Sequence, residues 1–130
     1  MEAAQMLARI LSEKGAPKVV LSDLTRSDIA ENVEDAFRYP KVILAAASYD
    51  AGLFSPMYDF LHRLQIKGYC RRKVGIMENG SWAPSAGRVM KEMLAGMKEI
   101  EIVEPMVTIR SRLKRSDLPN LDALADAILA

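Results

Sequence analysis

Hydrophobic residues recur at intervals of three and four positions in five stretches of the chain. This spacing places apolar side chains on one face of a helix and predicts five amphipathic helices. Their apolar faces consist of Met6, Leu7, Ile10 and Leu11; of Ile29, Val33, Ala36 and Phe37; of Met57, Phe60, Leu61 and Leu64; of Val89, Met90, Met93, Leu94 and Met97; and of Leu118, Leu121, Leu124, Ala125 and Ile128.

Start and stop signals bound several of these helices. Gly15 is a typical end for the first helix, and either Thr25 or Ser27 is suited to cap the second. The pair Ser55-Pro56 combines an N-cap with proline at the first helical position and predicts the start of the third helix. Gly68 ends that helix.

Apolar runs between the helices predict four strands. Runs without polar alternation are typical of strands covered on both faces of a sheet. The predicted strands are Lys18–Leu24, Lys41–Ala46, Val74–Met77, and a last strand from Ile100 to Val103 and from Met106 to Ile109 that Pro105 can interrupt.

The predicted order is α-β-α-β-α-β-α-β-α. Strands that alternate with helices indicate parallel βαβ units, so the fold class is α/β, a three-layer sandwich with a parallel sheet, in one domain over residues 1–130. Since the chain starts with a helix and has five helices for four strands, we expect the first strand of the sheet and the loop after it to be absent.

Composition narrows the functional classes. Half of the 130 residues are hydrophobic, 27% are charged and the net charge is +1, so nothing indicates binding to nucleic acid or to a membrane surface. The single cysteine, Cys70, excludes an internal disulfide and favours a reducing compartment. No apolar run is long enough to span a membrane, and no signal peptide begins the chain, so we expect a cytoplasmic protein.

Two loops follow predicted strands and precede predicted helices: residues 46–54 (AASYDAGLF) and 78–84 (ENGSWAP). In a parallel α/β sheet such loops lie at the carboxyl edge of the strands, where ligands bind. Each loop combines one aromatic ring with small and hydrogen-bonding residues. This combination predicts a site for a flat ligand with polar edges.

The run Tyr49–Pro56 resembles the loop after the third strand in the flavodoxin-like domain of A-type flavoproteins, also called flavodiiron proteins. The run Arg72–Pro84 resembles the loop after the fourth strand of that domain, and residues 102–113 with the last helix resemble its ending. The resemblance implies a flavodoxin-like fold with FMN as cofactor. It also implies that the strands here are the second to the fifth, and that the first strand and its phosphate-binding loop have no counterpart.

The resemblance implies that the cofactor is bound by both loops, through Ser48, Tyr49, Asp50, Ala51, Gly52, Asn79, Gly80, Ser81 and Trp82. The two aromatic residues either stack on the flavin ring or only cover the edge of the sheet. The polar residues either bond the rim of the ring or shape their turns. The glycines either permit close approach of the flavin or serve a positive φ.

Two functions follow from this reading. The first is an FMN-type electron-transfer domain with impaired phosphate binding, whose partner would be a flavodiiron catalytic domain or a rubredoxin-like donor. The alternative is a cofactor-free interaction or oligomerisation module that associates through its open sheet. No catalytic acid, base or nucleophile is predicted, and with a single histidine, His62, no metal site is predicted.

Overall fold

The computed structural model describes residues 2–49, 52–53, 55–80, 85–110 and 112–130, with the backbone alone at 47–49 and 52–53. Helices α1 to α5 and strands β1 to β5 are numbered in chain order. The helices are α1 Glu2–Glu13, α2 Ile29–Arg38, α3 Ser55–Ile66, α4 Ala86–Ala95 and α5 Leu118–Leu129, the last preceded by a 3-10 turn at Arg115–Asp117. The strands are β1 Lys41–Tyr49, β2 Gly52–Leu53, β3 Arg72–Asn79, β4 Ile100–Ile102 and β5 Val107–Ile109.

Strand β3 is central to the sheet. One edge pairs in parallel with β1 over seven positions, from Lys41 opposite Lys73 to Ala47 opposite Asn79. The other edge pairs in parallel first with β4 and then with β5. Strand β2 is antiparallel and covers only the carboxyl end of β1. The predicted parallel sheet is therefore confirmed for β1, β3, β4 and β5.

Helices cover both faces of the sheet, as the three-layer prediction requires. Apolar residues of α2, α3 and α4 pack on one face and form a three-helix cluster with Leu44, Val74 and Ile76 of the strands. Apolar residues of α1 and α5 pack on the other face and form a two-helix cluster with Met77, Val107 and Ile109. None of the helices in the described part of the chain is long and apolar enough to cross a membrane.

The predicted strand Lys18–Leu24 is wrong. This stretch is irregular, and it pairs with no strand among the described residues. Its composition suits a strand, but a β-ladder also needs a neighbouring strand to take up the backbone hydrogen bonds. Without that neighbour Val20 and Leu21 stay exposed, at 46% and 44% of their surface.

The start of α2 also differs from the prediction. Asp28 is the N-cap, and its carboxylate accepts a hydrogen bond of 3.3 Å from the amide of Ala30. The predicted caps Thr25 and Ser27 instead bond back to Asp23, at 2.6 Å from each hydroxyl. Three short polar residues compete here, and the turn at Asp23 engages two of them.

The last predicted strand is divided, as the proline in it indicated. Strands β4 and β5 both extend along β3, and the Glu104–Pro105 peptide bond between them is cis. Of the methionines expected in the core, Met57 and Met90 are buried at 4% and 0% exposure, whereas Met93 and Met97 are only partly buried against the three-helix cluster. His62 is on the surface of α3, where its ring stacks on Tyr58 at 6.2 Å between centroids.

Candidate functional site

Three parallel strands end side by side at one edge of the sheet. At the carboxyl end of the β1–β3 ladder, Ala46 lies opposite Glu78 and Ala47 opposite Asn79. On the other side of β3, Glu78 lies opposite Thr108, and the ladder with β5 ends one residue later. The loops that follow β1 and β3 therefore leave neighbouring strands at the same edge.

The predicted site residues fall partly at these strand ends. Ser48 and Tyr49 are the last residues of β1, and they pair with Leu53 and Gly52 of β2. Asn79 ends β3 and Gly80 follows it, so the structure brings the beginnings of both predicted loops together. The other predicted residues, Asp50, Ala51, Ser81 and Trp82, lie outside the described residues.

The start of the second loop is held to β5. The Gly80 amide donates a hydrogen bond of 3.1 Å to the carbonyl oxygen of Ile109. This bond extends the β3–β5 pairing by one residue beyond the ladder. Gly80, the first residue after β3, is therefore fixed relative to both β3 and β5.

Glu78 is a buried residue of this edge that was not predicted from the sequence as part of the site. Its side chain is 5% exposed, and both carboxylate oxygens are bonded. Oε1 accepts from the amide of Gly87 at 2.8 Å, and Oε2 accepts from the hydroxyl of Thr108 at 2.7 Å. The available signal was a single acidic residue directly after the apolar run of β3, because a buried carboxylate requires partners.

A cavity of about 360 Å³ opens at the carboxyl ends of β3 and β5. It is lined by Glu78, Thr108, Arg110, Lys114 and Asp117. Lys114 Nζ donates to the carbonyl oxygen of Arg110 at 2.8 Å, and the Lys114 amide donates to Asp117 Oδ2 at the same distance. Two cations and two carboxylates line this cavity, so its charge favours neither sign.

The two helices that begin at this edge differ in the backbone amides of their first turns. Helix α3 starts with Ser55-Pro56, and proline has no amide hydrogen to donate. In the first turn of α4 the Gly87 amide is already bonded to Glu78. The negative charge beside α4 opposes the binding of a further anion at that helix end.

Metal ligands are not grouped in the described part of the chain. No three histidine, cysteine, aspartate or glutamate side chains there are placed to hold one ion.

Comparisons with known proteins identify the architecture. No protein-family model and no curated protein matches this sequence. Among solved structures, the rubredoxin:oxygen oxidoreductase from Desulfovibrio gigas superposes with a TM-score of 0.90 at 17% identity, over 98% of this chain and 31% of that one. The flavodiiron protein from Giardia intestinalis gives a TM-score of 0.84 at 17% identity, over 96% of this chain and 31% of that one.

A flavodoxin matches over most of its own length. Flavodoxin 1 from Bacillus cereus superposes with a TM-score of 0.82 at 16% identity, over 98% of this chain and 87% of that one. The chain thus spans about a third of the flavodiiron-type proteins and most of the flavodoxin. At these identities the likeness shows the fold, and the predicted architecture is confirmed: this chain has the flavodoxin-like fold.

Proposed function

We propose that this domain binds an FMN-type flavin at the carboxyl edge of β1 and β3 and transfers electrons. The observation that carries the proposal is the parallel pairing of Ala47 with Asn79, because it starts both predicted loops on neighbouring strands. Ligands of open α/β sheets bind at this edge. The solved structures that share the fold include a flavodoxin and a flavodiiron protein, whose names indicate flavin proteins, and this supports a flavin as the ligand.

The residues assigned to the flavin come from the two loops. Tyr49 and Trp82 are the candidates to stack on the ring, since aromatic faces stack on flat π-systems. Ser48, Asp50, Asn79 and Ser81 are the candidates to bond its polar rim, and Ala51, Gly52 and Gly80 leave room for the backbone to approach. The bound flavin would supply the redox chemistry, while the protein would orient the ring and set its electrostatic surroundings.

We further propose that phosphate binding is impaired. Phosphate groups bind where several backbone amides point outward from a helix N-terminus. At this edge α3 begins with Ser55-Pro56, and the α4 amide of Gly87 already bonds the Glu78 carboxylate. These two helix ends therefore fit a dianion poorly, whereas the composition of the two loops suits the ring.

Titration of the purified protein with FMN and with riboflavin tests both parts. We expect the fluorescence of FMN to be quenched when it binds the protein. Without a phosphate site, the two affinities should agree within about threefold, since a contact of 1.4 kcal/mol to the phosphate would separate them tenfold. Absence of quenching at excess FMN contradicts flavin binding, and a large preference for FMN contradicts the impaired phosphate site.

Substitutions test the stacking residues. Trp82→Ala and Tyr49→Ala should each weaken flavin binding about tenfold, because each removes a large aromatic contact. Tyr58→Ala is the matched control, since this exposed tyrosine lies on α3 and outside both loops. Equal affinities of all three variants would contradict the assigned stacking.

The proposed electron partner is a flavodiiron catalytic domain or a rubredoxin-like donor. Basic residues follow β5, namely Arg110, Arg112, Lys114 and Arg115. They are candidates to dock an acidic partner next to the loops, because complementary charge accelerates association. Association should then weaken as salt is raised, which stopped-flow kinetics can measure.

A second candidate function is a cofactor-free interaction module. The observation that favours it is the edge of β1 that faces away from β3, which pairs with no strand from Lys41 to Ala47 among the described residues. Exposed strand edges invite pairing with another chain. This candidate predicts a colourless protein that self-associates, which light scattering can measure. A monomer that retains flavin would contradict it.

A further inference from the structure

A cavity of about 640 Å³ opens between helices α2 and α3, here called the α2–α3 groove. Its apolar lining comes from α2, where Ala30, Val33 and Phe37 follow one another at helical spacing and so share one face. Val33 is buried, Phe37 is partly buried and Ala30 is exposed. Cavities of about 300–1,000 Å³ with apolar and aromatic lining are typical sites for small organic ligands.

Phe37 is fixed in place from behind the groove. Its ring meets the ring of Tyr69 edge to face, with 5.1 Å between the centroids. The guanidinium carbon of Arg72 lies 5.9 Å from the centroid of the Phe37 ring, and Nη2 of Arg72 donates to the carbonyl oxygen of Phe37 at 2.8 Å. Because both the ring and the backbone of Phe37 are held, this wall of the groove is preformed, which lowers the entropy lost when a ligand binds.

Cations line the groove from both helices, near the ends of the two helices. Arg38 is in the last turn of α2, and Arg63 and Lys67 are four positions apart at the end of α3. Arg38 pairs with Asp35 at 3.3 Å. Neither Arg63 nor Lys67 forms an ion pair with a described residue, so both side chains are available to an anionic ligand.

The charge of the groove is unequal along its length. Among the described lining residues Glu34 is the only acid, and it lies one turn before Arg38. The groove is therefore positively charged near the ends of the two helices and apolar towards Ala30, at the start of α2. A ligand that matches both ends needs an anionic group and an apolar body.

We infer that the α2–α3 groove binds a small amphipathic carboxylate, with its anionic group at Arg63 and Lys67 and its apolar body against Phe37 and Val33. Charge-assisted bonds to a carboxylate are among the strong ones. Arg38 follows Ala30 by eight positions, which is about 12 Å of helix, so a chain of about eight carbon atoms spans the groove.

The size of the groove favours such a molecule over a folded partner. A stable protein interface takes about 20–30 residues from each side, whereas seven described residues line this groove. The inference does not depend on flavin binding. Arg72, at the start of β3, bonds the carbonyl oxygens of Phe37 and Tyr39 at the end of α2. The cationic end of the groove therefore lies at the opposite end of the sheet from the proposed flavin site.

Titration of the whole isotope-labelled chain with octanoate, without flavin, tests this inference by NMR. Octanoate should shift the backbone amides of α2 and of the end of α3, with a Kd of about 1 mM. Octanamide keeps the apolar body without the charge, and acetate keeps the charge without the body. Both should bind about fivefold more weakly or worse. Absence of these shifts at about 20 mM octanoate, or equal binding of octanamide, overturns the inference.

Protein variants locate the carboxylate. Arg63→Gln should weaken octanoate binding about fivefold, because it removes one charged donor. Arg9→Gln is the matched control, since Arg9 is an exposed arginine of α1 in the other helix layer. Equal affinities of the two variants overturn the assigned position.

A further variant tests the apolar end of the groove. Ala30→Glu should also weaken octanoate binding about fivefold, because it places a negative charge beside the apolar body. The first turn of a helix tolerates an acid, so this variant should fold. Unchanged affinity overturns the assigned direction of the ligand. A capped peptide of glutamate and leucine that shifts these amides where octanoate does not overturns the inference in favour of a protein partner.

Discussion

The carboxylate of Glu78 lies at the amino-terminal end of α4, where it accepts a hydrogen bond of 2.8 Å from the amide of Gly87. Its second oxygen accepts from Thr108 at 2.7 Å. One side chain of β3 thus bonds both β5 and the first turn of α4. These bonds fix the three elements relative to one another at the edge where the flavin is proposed to bind.

Removal of this carboxylate should destabilise the fold. Glu78→Ala leaves the Gly87 amide and the Thr108 hydroxyl without their acceptor, and we expect a loss of about 2–4 kcal/mol in the free energy of unfolding. Glu78→Gln should lose less, because its carboxamide oxygen can still accept from the amide. Urea denaturation measures both. Glu92→Ala, an exposed acid of α4, is the control with a change within about 0.5 kcal/mol; a similar loss there would contradict the role of Glu78.

Close packing around Gly87 predicts that a larger residue at this position destabilises the fold. A Cβ at this position would overlap the sulfur of Met106 and lie 3.0 Å from Glu78 Oε1. Since the carboxylate is held by two bonds, Gly87→Ala should cost about 1–3 kcal/mol. Gly96→Ala is the matched control, because the nearest described atom to a Cβ there is the end of the long Gln65 side chain, at 3.0 Å. Thermal unfolding measures the stability of both variants. Equal melting temperatures would contradict the close contact at Gly87.

Arg72 joins the amino-terminal end of β3 to the end of α2. Its guanidinium donates to the carbonyl oxygens of Phe37 at 2.8 Å, Tyr39 at 3.0 Å and Cys70 at 2.7 Å. Its Cζ also lies 5.0 Å from the centroid of the Tyr69 ring. These contacts are at the opposite end of β3 from the candidate site.

Arg72 should therefore matter for stability and not for flavin binding. Arg72→Ala should lower the free energy of unfolding by about 2–3 kcal/mol, because three carbonyl oxygens lose a charged donor. Arg72→Lys should recover only part, since one ammonium lacks the fork of the guanidinium. Arg88→Ala, an exposed arginine of α4, is the control. Flavin affinity measured on folded Arg72→Lys should match the unsubstituted protein, and a clear loss would contradict this separation.

Sequence patterns predicted the parts of the fold that depend on local contacts. The apolar run Val74–Met77 predicted β3, and the helical spacing of Met90 and Leu94 predicted α4. Both elements pack against elements that are close to them in sequence. The stretch Lys18–Leu24 has the same kind of sequence, yet it is irregular because strand formation depends on a partner strand. Local sequence cannot report whether that partner is present.

The candidate site was also predictable only in part from the sequence. Loops after parallel strands meet at one edge, so the meeting of the ends of β1 and β3 followed from connectivity. Glu78 was missed because its role depends on Gly87 and Thr108, which are 9 and 30 residues away in sequence. Such partners become neighbours only when the sheet forms.

Tyr69 predicts how stability depends on alkaline pH. Its side chain is 1% exposed, its hydroxyl has no partner among the described residues, and burial raises its pKa to about 12 against the opposing effect of Arg72. The unfolded chain ionises this tyrosine near its ordinary pKa of 10.0. Between these two values the unfolded state loses the proton first, so the free energy of unfolding falls as pH rises.

Tyr69→Phe removes this titration together with a buried hydroxyl that has no partner in the described structure. Below pH 10 the variant should be as stable as the unsubstituted protein or slightly more stable, because the hydroxyl contributes no hydrogen bond there. Between pH 10 and pH 12 it should lose less stability, which urea denaturation at stepped pH measures. Tyr58→Phe, on the exposed face of α3, should keep the full alkaline decline. Parallel pH profiles for the Tyr69→Phe and unsubstituted proteins would show that Tyr69 ionises equally in both states.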